Sequence, residues 1–195
     1  MLLSFLFEMK IFFFGGTFDP PHNGHQAIVN YCLEKCDKLI LVPNKKSPHK
    51  INHPNASSRQ RKKMLSILFT HNKINICEFE LKSAFDNYTY LTIDYLKKKY
   101  KSSDLTMIIG NDQLLSLKNW KNINYILSEV KILCFNRFVS KNLELKKRLK
   151  YNFEFVENFK INISSEIIRE NILSKSFVNI EPMLDKKIID YIKEK

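Results

Sequence analysis

The sequence predicts an α/β fold: a doubly wound, mostly parallel sheet of five to six strands with helices on both faces. Short apolar runs alternate with segments of helical period along the chain. The runs are almost continuously apolar, so both faces of the sheet must be covered, the usual state of a parallel sheet packed between helices. Glycine, proline, histidine and lysine collect where the runs end. Open sheets of this kind bind ligands at the carboxyl ends of their strands.

Lys10–Phe14 reads as a buried first strand, and Asn23–Cys36 as the helix after it. Lys38–Pro43 (KLILVP) is the second strand, followed by a polar loop, Asn44–Asn55, with two prolines. Ser57–Phe69 reads as a helix, because Met64, Leu65, Leu68 and Phe69 recur at helical spacing. Ile74–Phe79 is a third strand and Tyr88–Tyr100 a helix; Leu105–Gly110 is a fourth strand, Glu129–Phe135 a fifth and Phe153–Asn158 a short sixth. Ser164–Leu173 and Pro182–Lys193 are terminal helices, with Pro182 suited to a helix start. Residues 1–9 read as an N-terminal extension or the start of the first strand, and 10–195 as one domain.

A chain of 195 residues with 44% hydrophobic content can bury a sizeable core and is not disordered. The net charge of +12 comes mostly from lysines spread along the chain, which suits a solvated surface. No basic stripe with interleaved aromatics points to nucleic acid. Cys32, Cys36, Cys77 and Cys134 form no C-x-x-C pair, which argues against a disulfide framework or a zinc site and fits a reducing compartment. The apolar opening MLLSFLF is short and lacks a basic flank, so no signal peptide or membrane span is expected and the cytoplasm is the expected location.

Three of the four glycines fall in one stretch, Phe12–His25, FFFGGTFDPPHNGH. Gly15 and Gly16 lack a Cβ, so a ligand can press on the backbone where strand one ends. The helix from Asn23 offers free N–H groups and the positive end of its dipole. His22 and His25, three apart, can point to one side. This chemistry suits phosphate binding and stabilisation of charge in phosphoryl or nucleotidyl transfer. Neither the G-x-G-x-x-G fingerprint nor a Walker A sequence is present.

GGTFDPPHNGH resembles the signature of nicotinate/nicotinamide mononucleotide adenylyltransferases, within the H-x-G-H nucleotidyltransferases. PNKKSPHK, RQRKKML, YTYLTIDYL, IIGNDQLLSLKNW and ISSEIIRENI continue the resemblance in the family's order, from about Lys10 to Ile172. IIGND and the long first motif favour the bacterial-type nicotinate branch. The resemblance implies a Rossmann-like domain that moves AMP from ATP onto nicotinate mononucleotide, with Mg²⁺ arriving on the ATP and no tightly bound cofactor. It implies no resident metal, no nucleic acid partner and no membrane.

The resemblance also implies the site. Gly15, Gly16 and Thr17 form the phosphate platform, Phe18 belongs to the ATP site, and His22, His25 and Arg169 act on the ATP phosphates. Gly110 and Asp112 meet the adenosine, and Ile163, Ser164 and Ser165 complete the ATP site. Gly16, Thr17, Lys46, His49, Lys50, Tyr88, Thr89 and Trp120 take the mononucleotide. The acid's carboxylate meets backbone N–H groups at Tyr88 and Thr89, and its ring stacks on Trp120. Glu166 replaces a small hydroxyl residue and is expected to point away from the ligand. Arg137 stands in CFNRFVS, where the family often has an Arg-Pro-Gly turn. The alternatives are a nicotinamide-mononucleotide, pantetheine-phosphate or cytidylyl transferase, a class I aminoacyl-tRNA synthetase fragment, and a basic nucleic-acid-binding module. A synthetase fragment should carry a K-M-S-K-S-like loop and a longer tRNA-binding region, neither of which this sequence shows, and the nucleic-acid module leaves the glycine and histidine placement without a cause.

Overall fold

The computed structural model describes residues 8–45, 54–84, 87–135, 153–157, 159 and 163–194. The strands are β1 (Met9–Gly16), β2 (Lys38–Pro43), β3 (Ile74–Ile76), β4 (Ser103–Gly110), β5 (Lys131–Phe135) and β6 (Phe153–Val156). They form one sheet in the order β3-β2-β1-β4-β5-β6, and every neighbouring pair is parallel. The order reverses between β1 and β4, so the crevice for a ligand opens above those two strand ends.

Side chains alternate between two buried faces, as strands covered on both sides require. Ile11 and Phe13 of β1 join Leu105, Met107 and Ile109 of β4 on one face. Phe12 and Phe14 join Ile108, Leu133 and Phe135 on the other. The first face is covered by α4 (Thr89–Lys99) and α6 (Ile123–Glu129), through Ile93, Leu96 and Ile126. The second is covered by α1 (Asn23–Leu33) and α2 (Ser58–Leu68), through Ile28, Val29 and Leu65. The short helices α3 (Phe79–Lys82) and α5 (Asn111–Ser116) follow β3 and β4. The tail forms α7 (Ser165–Leu173), α8 (Phe177–Ile180) and α9 (Lys186–Lys193).

Several expected boundaries move, each for a local reason. The third strand stops at Ile76, because Phe79 turns away to stack on Tyr95 of α4 with ring centroids 4.5 Å apart. Glu129 closes α6, so β5 begins only at Lys131. The last helix starts at Lys186, where the Asp185 carboxylate accepts from the Lys187 N–H at 2.9 Å. Pro182 is held elsewhere: its carbonyl accepts from Asn23 Nδ2 at 3.0 Å, and the Met183 carbonyl accepts from the Asn23 N–H at 2.9 Å. The H-x-G-H turn is thus tied to the tail.

Met64 of α2, Ile168 of α7, Ile180 of α8 and Ile188 and Ile189 of α9 form a third apolar cluster. Ile188→Ala should cost about 2–5 kcal/mol in urea denaturation, because the side chain is fully buried there. Val178→Ala, at a position 78% exposed, should change stability little.

Candidate active site

The turn after β1 is held from three directions. Arg61 of α2, only 1% exposed, donates from Nη1 to the Thr17 carbonyl at 2.6 Å and from Nε to the Ala56 carbonyl at 3.2 Å. The buried Asp19 carboxylate accepts from the Asn55 and Ala56 N–H groups at 2.7 and 3.1 Å. Arg169 of α7 donates to the Asp19 carbonyl at 2.7 Å, and Ser165 Oγ donates to the Pro20 carbonyl at 3.0 Å. Burial pulls the Arg61 guanidinium below its ordinary pKa, while the Asp19 carboxylate opposes that shift.

None of the glycines has a positive φ; the left-handed residue in the turn is Phe18, at φ 51°. The glycines supply room. A Cβ on Gly16 would meet the Phe18 ring at 3.0–3.3 Å, so this glycine admits a protein side chain. A Cβ on Gly15 would meet nothing within 4 Å, so its open face is available to a ligand.

α1 begins at Asn23 with His22 as its N-cap residue, in extended backbone conformation. The His22 N–H donates to His25 Nδ1 at 3.2 Å. That bond leaves His25 Nε2 as the proton-bearing nitrogen of a neutral ring. The two imidazoles lie 3.7 Å apart between centroids, and His25 packs tilted against Phe18 at 5.0 Å. The expected common side is therefore present. His22 is 3% exposed, with its ring beside that of His25.

A cavity of about 430 Å³ lies at the strand ends. It gathers Gly15, Gly16, Thr17, Phe18, His22 and His25 from the turn, Gly110 and Asp112 from the end of β4, and Ile163, Ser164, Ser165 and Arg169 from the start of α7. Tyr88, Thr89 and Trp120 line it from the α4 side. Lys46, His49, Lys50 and Arg137 lie outside the described residues. α4 follows Tyr88 with no side-chain cap, and in its first turn the Leu91 N–H donates to the Tyr88 carbonyl at 3.0 Å. Trp120 also packs against the core, so it is at once a structural and a cavity residue. Asp112 is the acid in the first turn of α5, whose N-cap residue is Gly110. Ser164 Oγ accepts from the Glu166 N–H at 3.1 Å, capping α7. Glu166, expected to point away, lines the cavity as an exposed residue, because it sits in the first turn of the helix whose N-terminus opens there.

Sequence reasoning missed Asn44, Glu80, Asn87, Gln113, Ser116 and Lys121 in this wall. The amide oxygens of Asn44 and Asn87 are buried without a hydrogen-bond partner among the described residues. Glu80 of α3 accepts from Thr92 Oγ1 of α4 at 2.6 Å, and burial raises its pKa from 4.5 to about 7. No local signal sets Glu80 apart, since CEFEL carries two acids and the other, Glu78, pairs with Lys62 and Lys82. The four thiols are buried and free, and desolvation raises the pKa of each, so none is an activated nucleophile. Among the described residues, no group of three or more His, Cys, Asp or Glu is placed to hold a metal ion, and no helix is long and apolar enough to cross a membrane.

A six-stranded parallel sheet with a glycine turn, paired imidazoles and helix N-termini round one cavity defines a nucleotide-binding α/β protein. The family described as cytidylyltransferase-like matches residues 13–171. A probable nicotinate-nucleotide adenylyltransferase of Clostridium acetobutylicum is 37% identical, over 93% of this chain and 94% of that protein. One from Fusobacterium nucleatum is 33% identical, over 93% of this chain and all of that protein. The solved Plasmodium falciparum nicotinic acid mononucleotide adenylyltransferase, complexed with NaAD, superposes with a TM-score of 0.79 at 20% identity, over 96% of each chain, and shares the fold. The chain belongs to the cytidylyltransferase-like family and, within it, to the nicotinate-nucleotide adenylyltransferases.

The two glycines should respond differently. Gly15→Ala should fold normally, by circular dichroism, and bind ATP at least tenfold more weakly, since the new methyl meets no protein atom. Gly16→Ala should lower the melting temperature, because the Phe18 ring must shift. The Glu80 carboxyl should leave a stability signature. An acid with a raised folded-state pKa contributes stability fully below its unfolded value, here 4.5, and loses that contribution as pH rises through about 7. The melting temperature of wild type should therefore fall more between pH 5 and pH 8 than that of Glu80→Gln.

Proposed function

We propose that this cavity joins ATP to nicotinate mononucleotide through the turn that carries His22 and His25. The chain is a nicotinate-nucleotide adenylyltransferase of NAD biosynthesis. A 5′-phosphate oxygen of the mononucleotide attacks the α-phosphorus of ATP. The bond from that phosphorus to the β-bridging oxygen breaks, and pyrophosphate leaves with the electron pair. The product is nicotinate adenine dinucleotide.

The observation that carries this reading is the convergence of His22, His25, Arg169, the uncapped α4 N-terminus and Trp120 on one cavity. We assign His25 Nε2–H and the His22 ring to the charge that grows on the phosphate oxygens, where preorganised donors contribute most. Arg169 spends one donor on the Asp19 carbonyl and keeps others for a phosphate. Gly110 and Asp112 take the adenosine side. Ile163 and the N-terminus of α7 with Ser164 and Ser165 close the ATP end. Gly16 and Thr17 lie between the two substrates. The N–H groups of Tyr88 and Thr89 take the ring carboxylate, and Trp120 stacks on the ring. Lys46, His49 and Lys50 are assigned to the mononucleotide phosphate. Positioning and charge stabilisation suffice, without a protein nucleophile.

Mg²⁺ is assigned to the incoming ATP, whose phosphates supply oxygen ligands that this hard cation favours. Its chemistry is to neutralise phosphate charge. We place the enzyme in the cytoplasm, where four free thiols stay reduced. Nucleic acid has no part in this reading.

Purified protein should release pyrophosphate from ATP with nicotinate mononucleotide, and more efficiently than with the amide. No release with either mononucleotide would sink the assignment, and equal efficiency would sink the acid preference. His22→Ala and His25→Ala should each lower turnover roughly 100-fold or more. Trp120→Ala should raise KM for the mononucleotide more than KM for ATP. A folded His25→Ala enzyme with wild-type turnover would remove that residue from the mechanism.

A further inference from the structure

Acid-selective recognition requires donors, and no fixed negative charge, around the ring carboxylate. The wall that carries Tyr88, Thr89 and Trp120 nevertheless includes a carboxyl group, that of Glu80. It is a built feature. Glu80 is 8% exposed and Thr92, its hydrogen-bond donor, is 2% exposed. Their bond joins α3 to the helix whose uncapped N-terminus opens on the cavity, and the Phe79–Tyr95 stack locks the same pair of helices. No cation among the described residues pairs with Glu80. Resting on the adenylyltransferase reading, we propose that Glu80 is a specificity-determining residue of the mononucleotide end: with its carboxyl protonated it accepts an anionic ring substituent, and once ionised it turns selection towards the uncharged amide.

The chemistry follows from the two forms of one group. The Thr92 hydroxyl occupies Oε1 in either form. A protonated carboxyl has one O–H to give, and its free oxygen can donate to a carboxylate. An ionised one only accepts; it repels a carboxylate and suits the N–H of a carboxamide. The buried amide oxygens of Asn44 and Asn87 line the same cavity, so acceptors are already plentiful there and an added donor matters.

The surrounding charges leave this titration to Glu80. Glu78 on the approach to α3 pairs with Lys62 and Lys82. Lys45, after β2, donates to the Ser83 carbonyl at 3.1 Å. On α4, Asp94 pairs with the Tyr125 hydroxyl, Tyr95 stacks on Phe79, and Lys99 lies over the Tyr95 and Tyr100 rings. Lys121 lies 4.4 Å from the centre of the Tyr88 ring. The Cys77 thiol feels the Glu80 charge but is itself pushed up by burial, and stays neutral. Burial puts the Glu80 transition at about 7, where both forms are populated.

The test is the ratio of kcat/KM for nicotinate mononucleotide to that for the amide, measured from pH 6 to pH 8.5. Where amide turnover is too slow, its inhibition constant replaces kcat/KM. The substrate phosphates and ATP are common to both reactions and cancel in the ratio. Wild type should lose acid selectivity by roughly tenfold across that range, one decade per pH unit being the limit above the pKa. Glu80→Gln should show a flat ratio. A flat ratio in wild type, or an unchanged slope in folded Glu80→Gln, would overturn the inference while leaving the adenylyltransferase reading intact. If Glu80→Gln fails to fold, the wild-type ratio alone decides. Absence of pyrophosphate release with both mononucleotides would instead remove the adenylyltransferase reading, and the inference with it.

Discussion

The guanidinium of Arg61 sits in the interior and spends its donors on backbone carbonyls at Thr17 and Ala56. A buried charge is tolerated only when its donors are satisfied and a counter-charge is near. Asp19 is that counter-charge, and its own oxygens are filled by the N–H groups of Asn55 and Ala56. The result couples three separate stretches: the end of β1, the approach to α2 and, through Arg169, the start of α7. Phe18 can hold its left-handed conformation, and His22 its buried place at the head of α1, because this network fixes the chain on both sides. Breaking one member would leave a buried charge without its partner, the costlier direction of change.

That rigidity matters for the chemistry assigned to the site. A direct in-line transfer between two bound nucleotides depends on where the phosphates lie, and small misplacements lose large factors in rate. The paired rings of His22 and His25, 3.7 Å apart, stand on a turn with little freedom to move. The opposite end of the cavity is built differently. There an uncapped helix N-terminus, one tryptophan and one buried acid meet, and a change in protonation can act on substrate choice without disturbing the phosphate platform.

Much of this was legible in the sequence, because it was written in local patterns. Continuous apolar runs such as ILCF and LILV announced strands covered on both faces, and the described residues hold six parallel strands, of which the central β1, β2, β4 and β5 are the buried ones. One cavity lines up the H-x-G-H stretch with most of the residues that the resemblance named, Lys46, His49 and Lys50 lying outside the described residues. What escaped was set by long-range contacts. Nothing local in RQRKKML tells buried Arg61 from its exposed basic neighbours, since its partners lie at Thr17 and Asp19. Glu80, one residue past the expected third strand, drew no reading, because only the packing of α3 on α4 brings it to Thr92 and the cavity. Both glycines read as room for a ligand, whereas a Cβ on Gly16 would meet the Phe18 ring and only Gly15 faces open space. Pro182 looked like a helix start, but Asn23, far away in sequence, claims its carbonyl.

Arg61 lies outside the cavity yet holds the turn on which the assigned chemistry stands. The most direct measurement is steady-state kinetics of Arg61→Lys, which keeps the charge and loses the planar fork that reaches two carbonyls. The account predicts a folded protein whose kcat falls at least tenfold, with a smaller change in KM for either substrate. A folded Arg61→Lys enzyme with wild-type kcat would contradict it.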